Sequence, residues 1–88
     1  MRDVAEIQSQ LLHFLRREVF SPELVLTEET DLIASGFDSF SLVNLLLFVE
    51  QTHGLWIPER EINAANFQNT RTLAVVVLRL LHERPPAP

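Results

Sequence analysis

The chain has 88 residues and a net charge of −5, with seven arginines, twelve carboxylates, no lysine and no cysteine. Such a balance lacks the clustered cations that a nucleic-acid backbone demands, and the missing cysteines exclude disulfides and thiolate metal sites. No apolar run is long enough to cross a bilayer, and Met1-Arg2-Asp3 leads straight into an amphipathic segment, so the expectation is one monomeric cytoplasmic domain with no membrane partner.

The first helix is expected from about Asp3 to Glu18. Asp3 can cap it, with Glu6 at the third helical position. Ile7, Leu11, Phe14, Leu15 and Val19 recur at helical spacing and make one apolar stripe, with Gln8, Gln10, Arg16 and Arg17 mostly off it. Arg16 and Arg17 suit the negative end of the helix dipole. His13 reads as a surface residue.

From Phe20 to Asp38 there is no sustained period. Ser21-Pro22 breaks the helix, and single apolar anchors follow: Leu24 or Val25, then Leu26, Leu32 and Phe37. A connector this long is expected to pack across the helices by its own side chains. Thr30-Asp31-Leu32 reads as a short turn, and Gly36 as the residue that bends the chain into the next helix.

The second helix is expected from Ser39 to Thr52 or His53, capped by Asp38 and stopped by Gly54. It is apolar almost all round, and in so small a domain it cannot be buried on every side. Some of Phe40, Leu47 and Phe48 are therefore expected at the surface near Ser39, as partner contacts. Leu55-Trp56-Ile57-Pro58 reads as an extended connector with Ile57 inward and Trp56 outward, a further candidate contact. A short helix is expected from Glu59 to about Ala65, with Phe67 anchoring the next turn. The last helix is expected from Thr70, its cap, to Glu83, on the clean pattern of Leu73, Val76, Val77, Leu80 and Leu81. Residues 1–84 thus form one all-α domain of three main helices and one short third helix, and 85–88 form a disordered proline-rich tail.

The centre of this arrangement is Ser39. A serine at the start of a helix sits where backbone N–H groups lack partners and the dipole is positive, which suits a group carrying a phosphate. Nine carboxylates between Glu18 and Glu61 face one arginine, Arg60. They form either a solvated surface or a face that steers basic partners.

Asp31-Leu32-x-x-x-Gly36-Phe37-Asp38-Ser39-Phe40 resembles the attachment motif of phosphopantetheine-binding carrier proteins, which include acyl, peptidyl and aminoacyl carriers. The likeness continues through Val49-Glu50-x-x-His53-Gly54-Leu55-Trp56-Ile57-Pro58 and Asn66-Phe67-x-x-Thr70 to about Leu81. The resemblance implies a non-catalytic four-helix carrier with 4′-phosphopantetheine on Ser39, installed from coenzyme A by a phosphopantetheinyl transferase. The resemblance also implies that Asp38, at the position of the family's acidic residue, would help place the transferase's metal and substrate. A cargo-loading ligase or acyltransferase and downstream synthase or transferase enzymes are the further partners implied.

Three departures stand out. Phe40 replaces a commoner leucine or methionine. His53 occupies an aromatic or aliphatic position, so a packed neutral histidine is expected. Glu50 is the only charge on the second helix, where fatty-acid carriers are strongly acidic. This argues against a fatty-acid role, and the pattern Ile57-Pro58-x-x-x-Ile62 with Asn66-Phe67-x-x-Thr70 resembles that of discrete carriers of specialised pathways, of the polyketide or nonribosomal-peptide type. Two rivals compete. A hydrolase using Ser39 as nucleophile would need a base, an oxyanion site and a scaffold this chain has no room for. An unmodified helical interaction module would use the same apolar second helix without modification of Ser39.

Overall fold

A computed structural model describes residues 3–83, which form three α-helices: α1 (Val4–Glu18), α2 (Ser39–His53) and α3 (Thr70–Glu83). No strand occurs among the described residues. The expected tail at 85–88 lies outside them.

Each helix begins and ends for a chemical reason. The Asp3 carboxylate accepts the Glu6 amide at 2.8 Å, filling one of the donors left open at the start of α1. Gly54 closes α2 in the left-handed region, at φ 66°, and its amide donates to the Glu50 carbonyl at 2.8 Å. The start of α3 corrects the expected cap. Asn69 accepts the Thr72 amide at 2.9 Å, and Thr72 Oγ1 accepts the Asn69 amide at 3.3 Å, a reciprocal pair at the helix start. Thr70 is instead fully buried as the first helical residue, its hydroxyl directed at the Glu28 carbonyl.

The core lies between α1 and α3, which pack directly on each other, and α2 adds residues to the same cluster. Ile7, Leu11 and Leu15 of α1 meet Leu73, Val77 and Leu80 of α3, and α2 contributes Leu45, Leu46 and Val49. Phe14 and Phe48 stack at 4.5 Å between ring centres, joining α1 to α2. The two long helical stripes are thus read correctly, and the nearly all-apolar α2 buries only part of its circumference, as its size requires.

The α1–α2 connector is ordered by its own residues. Leu26 and Leu32 are buried, Leu24 is half-buried, and Val25 stands 81% exposed. Arg16 Nη2 donates to the Leu26 carbonyl at 2.7 Å. The turn expected at Thr30–Leu32 lies a little further on, at Leu32–Gly36. The Asp31 carboxylate accepts the Ala34 amide at 3.0 Å, and Gly36 takes φ 105° to send the chain into α2.

The expected short third helix is one turn of 3₁₀ helix at Glu59–Glu61. Ile62 is extended, at φ −89° and ψ 91°, which ends the turn. Beyond it, Asn63 Oδ1 accepts the Asn66 amide at 2.9 Å and Asn66 Nδ2 donates to the Glu61 carbonyl at 2.9 Å. Asparagine side chains thus take up backbone groups that a longer helix would need. Ile57 is buried and Trp56 is 55% exposed, as alternation predicts.

Candidate functional site

Ser39 is the first residue of α2 and is exposed. Asp38 caps the helix in extended conformation, its carboxylate accepting the Ser41 amide at 2.8 Å. That amide, the Ser41 hydroxyl and the Phe40 amide hold the Asp38 carboxyl below the ordinary aspartate range, so it stays ionised at neutral pH. The serine side chain therefore projects from a helix start whose orientation is fixed by its neighbour. The structure brings together the pair Asp38 and Ser39 that the sequence singled out.

Beside Ser39 opens a groove of about 310 Å³, which the sequence did not reveal. Ile33 and Phe37 of the α1–α2 connector form one wall, Leu42 of α2 the back, and Ile62, Asn63, Ala64 and Phe67 the other wall, with Asp38 and Ser39 at its edge. Phe37 and Phe67 meet at 6.3 Å between ring centres, across the two walls. The Leu32 amide donates to the Gln68 carbonyl at 2.8 Å and ties the walls together. The lining is mainly apolar, the chemistry that shelters a flexible chain rather than a metal or a polyanion. No cluster of three or more metal-ligating side chains occurs among the described residues.

The outer face of α2 carries Phe40 at 77%, Val43 at 52% and Leu47 at 43% exposure. Val43 was not singled out, although its spacing of three from Phe40 puts it on the same face. Phe48 differs from its expected place: it is half-buried because its ring stacks on Phe14. Trp56 is exposed but follows the C-terminal end of α2, and a 15-residue helix is about 22 Å long, so it does not adjoin Ser39. His53 is packed as expected, 5% exposed, with Nε2 2.8 Å from Gln10 Oε1.

The serine, exposed at a helix start on the rim of an apolar groove, fits the attachment of a phosphate-linked arm: the hydroxyl is accessible and the arm has a surface to lie on. No family model matches the chain. The chain is 38% identical over 55 residues to aminoacyl carrier protein 1 of Bradyrhizobium diazoefficiens, a match covering 62% of this chain and 61% of that protein. The chain thus spans about three fifths of that relative's length. Among solved structures it is similar to a chain of the Bradyrhizobium japonicum glycine:[carrier protein] ligase complexed with glycylated carrier protein. That match has a TM-score of 0.63 and 29% identity, and covers 83% of this chain and 96% of the other. So nearly mutual a coverage identifies a partner of this chain's own size, the carrier of that complex. In fold and in part of its sequence the chain is thus similar to carrier proteins. The expected likeness to carrier proteins is matched by these comparisons, which are to an aminoacyl carrier and to a complex with a glycylated one.

Proposed function

We propose that this protein is a non-catalytic carrier that bears 4′-phosphopantetheine on Ser39 and delivers a tethered acyl or aminoacyl group to partner enzymes. The observation that carries the reading is Ser39 itself, exposed at the start of α2 and at the edge of an apolar groove. When bound, the arm supplies the thiol that a cysteine-free chain lacks and holds cargo as a thioester. The chain's own part is to present the serine, keep Asp38 ionised next to it for the transferase, and offer a groove along which the arm can lie.

An amino acid is the favoured cargo, because the chain resembles an aminoacyl carrier and a glycylated one. A cargo-loading ligase is then the second partner after the transferase, with synthase or transferase enzymes downstream in a pathway of the nonribosomal-peptide or polyketide type. These partners meet Phe40 and Leu47, with Val43 between them, and reach Phe48 at the edge and Trp56 at the far end of α2. Glu50 is the only carboxylate on that helix, so the docking is apolar rather than ionic. No described helix is long and apolar enough to cross a membrane. The reading puts the protein in the cytoplasm, with coenzyme A.

Intact mass after incubation with coenzyme A, magnesium and a broad-specificity phosphopantetheinyl transferase tests this. The native chain should gain one arm and Ser39→Ala none, with unchanged thermal stability. No gain on folded native protein would leave α2 as the surface of an unmodified interaction module.

A further inference from the structure

The groove's second wall is carried by the α2–α3 connector, which has only one turn of 3₁₀ helix. Leu55, Ile57 and Phe67 fix its two ends in the core. Its middle, with Ile62, Asn63 and Ala64, is half-buried or exposed and needs another fastening. Glu61 supplies it. Its side chain is only 15% exposed, and Arg79 Nη2 on α3 donates to Oε1 at 2.6 Å. Asn66 Nδ2 donates to the same Oε1 at 3.1 Å and to the Glu61 carbonyl at 2.9 Å. Arg60 Nε lies 3.7 Å from Oε2. One carboxylate therefore closes a ring around Ile62–Ala65, and the same carboxylate hooks that ring to α3.

We propose that Glu61 is a positioning residue: its link to Arg79 and Asn66 holds the Ile62–Ala64 wall over the groove, and so sets how well cargo tethered at Ser39 is shielded from water. This deepens the carrier reading and rests on it. Arg79 also donates to Glu83 at 3.3 Å, so the guanidinium is held from two sides and presents a fixed fork to Glu61. The first wall is held without Glu61: Leu32 is buried in the core, the Asp31 carboxylate caps the turn, and Glu28 ties the same connector to α1 and α3.

The test compares the native chain with Glu61→Gln, Arg79→Gln and the double exchange Glu61→Arg/Arg79→Glu. In the unmodified proteins, hydrogen exchange at the Ile62 and Phe67 amides should rise on the order of fivefold in the single variants, with amides inside α1 and α3 unchanged. After loading with a branched aliphatic acyl group through its coenzyme A derivative, hydroxylamine should cleave the thioester several-fold faster in the single variants. The double exchange should recover part of both effects. Faster exchange with unchanged cleavage would overturn the shielding role, and unchanged exchange would overturn the fastening itself. Failure of the native chain to gain mass would instead overturn the carrier reading, while the exchange data still judge whether Glu61 holds the wall.

Discussion

Residues 19–38 and residues 54–69 face each other across the groove beside Ser39, and they are held in different ways. The first connector is fastened to two helices. Glu28 receives the Gln8 amide from α1 and the Arg71 guanidinium from α3, and its carbonyl takes the Arg71 amide at 3.3 Å. Leu26 and Leu32 are buried beneath it. The second connector has buried ends and a middle held by polar side chains, Glu61 to Arg79, Asn63 to the Asn66 amide and Thr72 to the Asn66 carbonyl. One side of the site is thus built into the core, and the other is an attachment to it. On the proposed carrier reading, the difference would let one wall stay fixed while the other yields to a tethered group.

The contrast can be broken most forcefully at Leu32. Leu32→Ala should cost about 2–5 kcal/mol in chemical denaturation, because the side chain is fully buried. Ile62→Ala, on the opposite wall, should cost about 1 kcal/mol, since its half-buried side chain has less to lose. Equal losses would erase the distinction. Gly36→Ala should cost about 1–2 kcal/mol: φ is 105°, so the penalty is conformational even though nothing lies within 4 Å of an added Cβ.

The smallest expected effect is with pH. Arg71 and Gln8 lower the Glu28 pKa, and Arg79 chiefly lowers that of Glu61. The unfolded chain therefore takes up these protons at higher pH than the native one. Their stabilisation is complete above the ordinary glutamate value and drains away as pH falls through the lowered native values. The contribution of these two carboxylates to the thermal midpoint should be level from neutral pH down to the ordinary glutamate value and then decline. Glu28→Gln should flatten that acid limb while exchange at Ile62 stays native, whereas Glu61→Gln should flatten it and loosen Ile62.

The helices were legible because their signals are local. The stripe from Ile7 to Leu15, the caps Asp3 and Asp38, and the stop at Gly54 each involve residues a few positions apart, and each stands where the sequence put it. Ser39 at the start of α2 was legible for the same reason. The groove was not, since its walls come from residues as distant as Ile33 and Phe67. Gln8 and Gln10 looked like surface residues off the apolar stripe. Gln8 instead reaches Glu28, 20 positions away, and Gln10 reaches His53, 43 positions away. Periodicity assigns a face but not a partner. The short third helix failed because Asn63 and Asn66 satisfy backbone groups by side chain, a competition that helix propensity averages away.

The Glu28 junction also bears on the order in which the chain folds. It unites Gln8 with Glu28 across 20 positions and Glu28 with Arg71 across 43, so it can close only after α1 and α3 have met. We predict that this junction is unformed in the folding transition state. In stopped-flow kinetics, Glu28→Gln should leave the refolding limb of the chevron unchanged and raise the unfolding limb. The junction would then govern how long the native state lasts rather than how fast it forms.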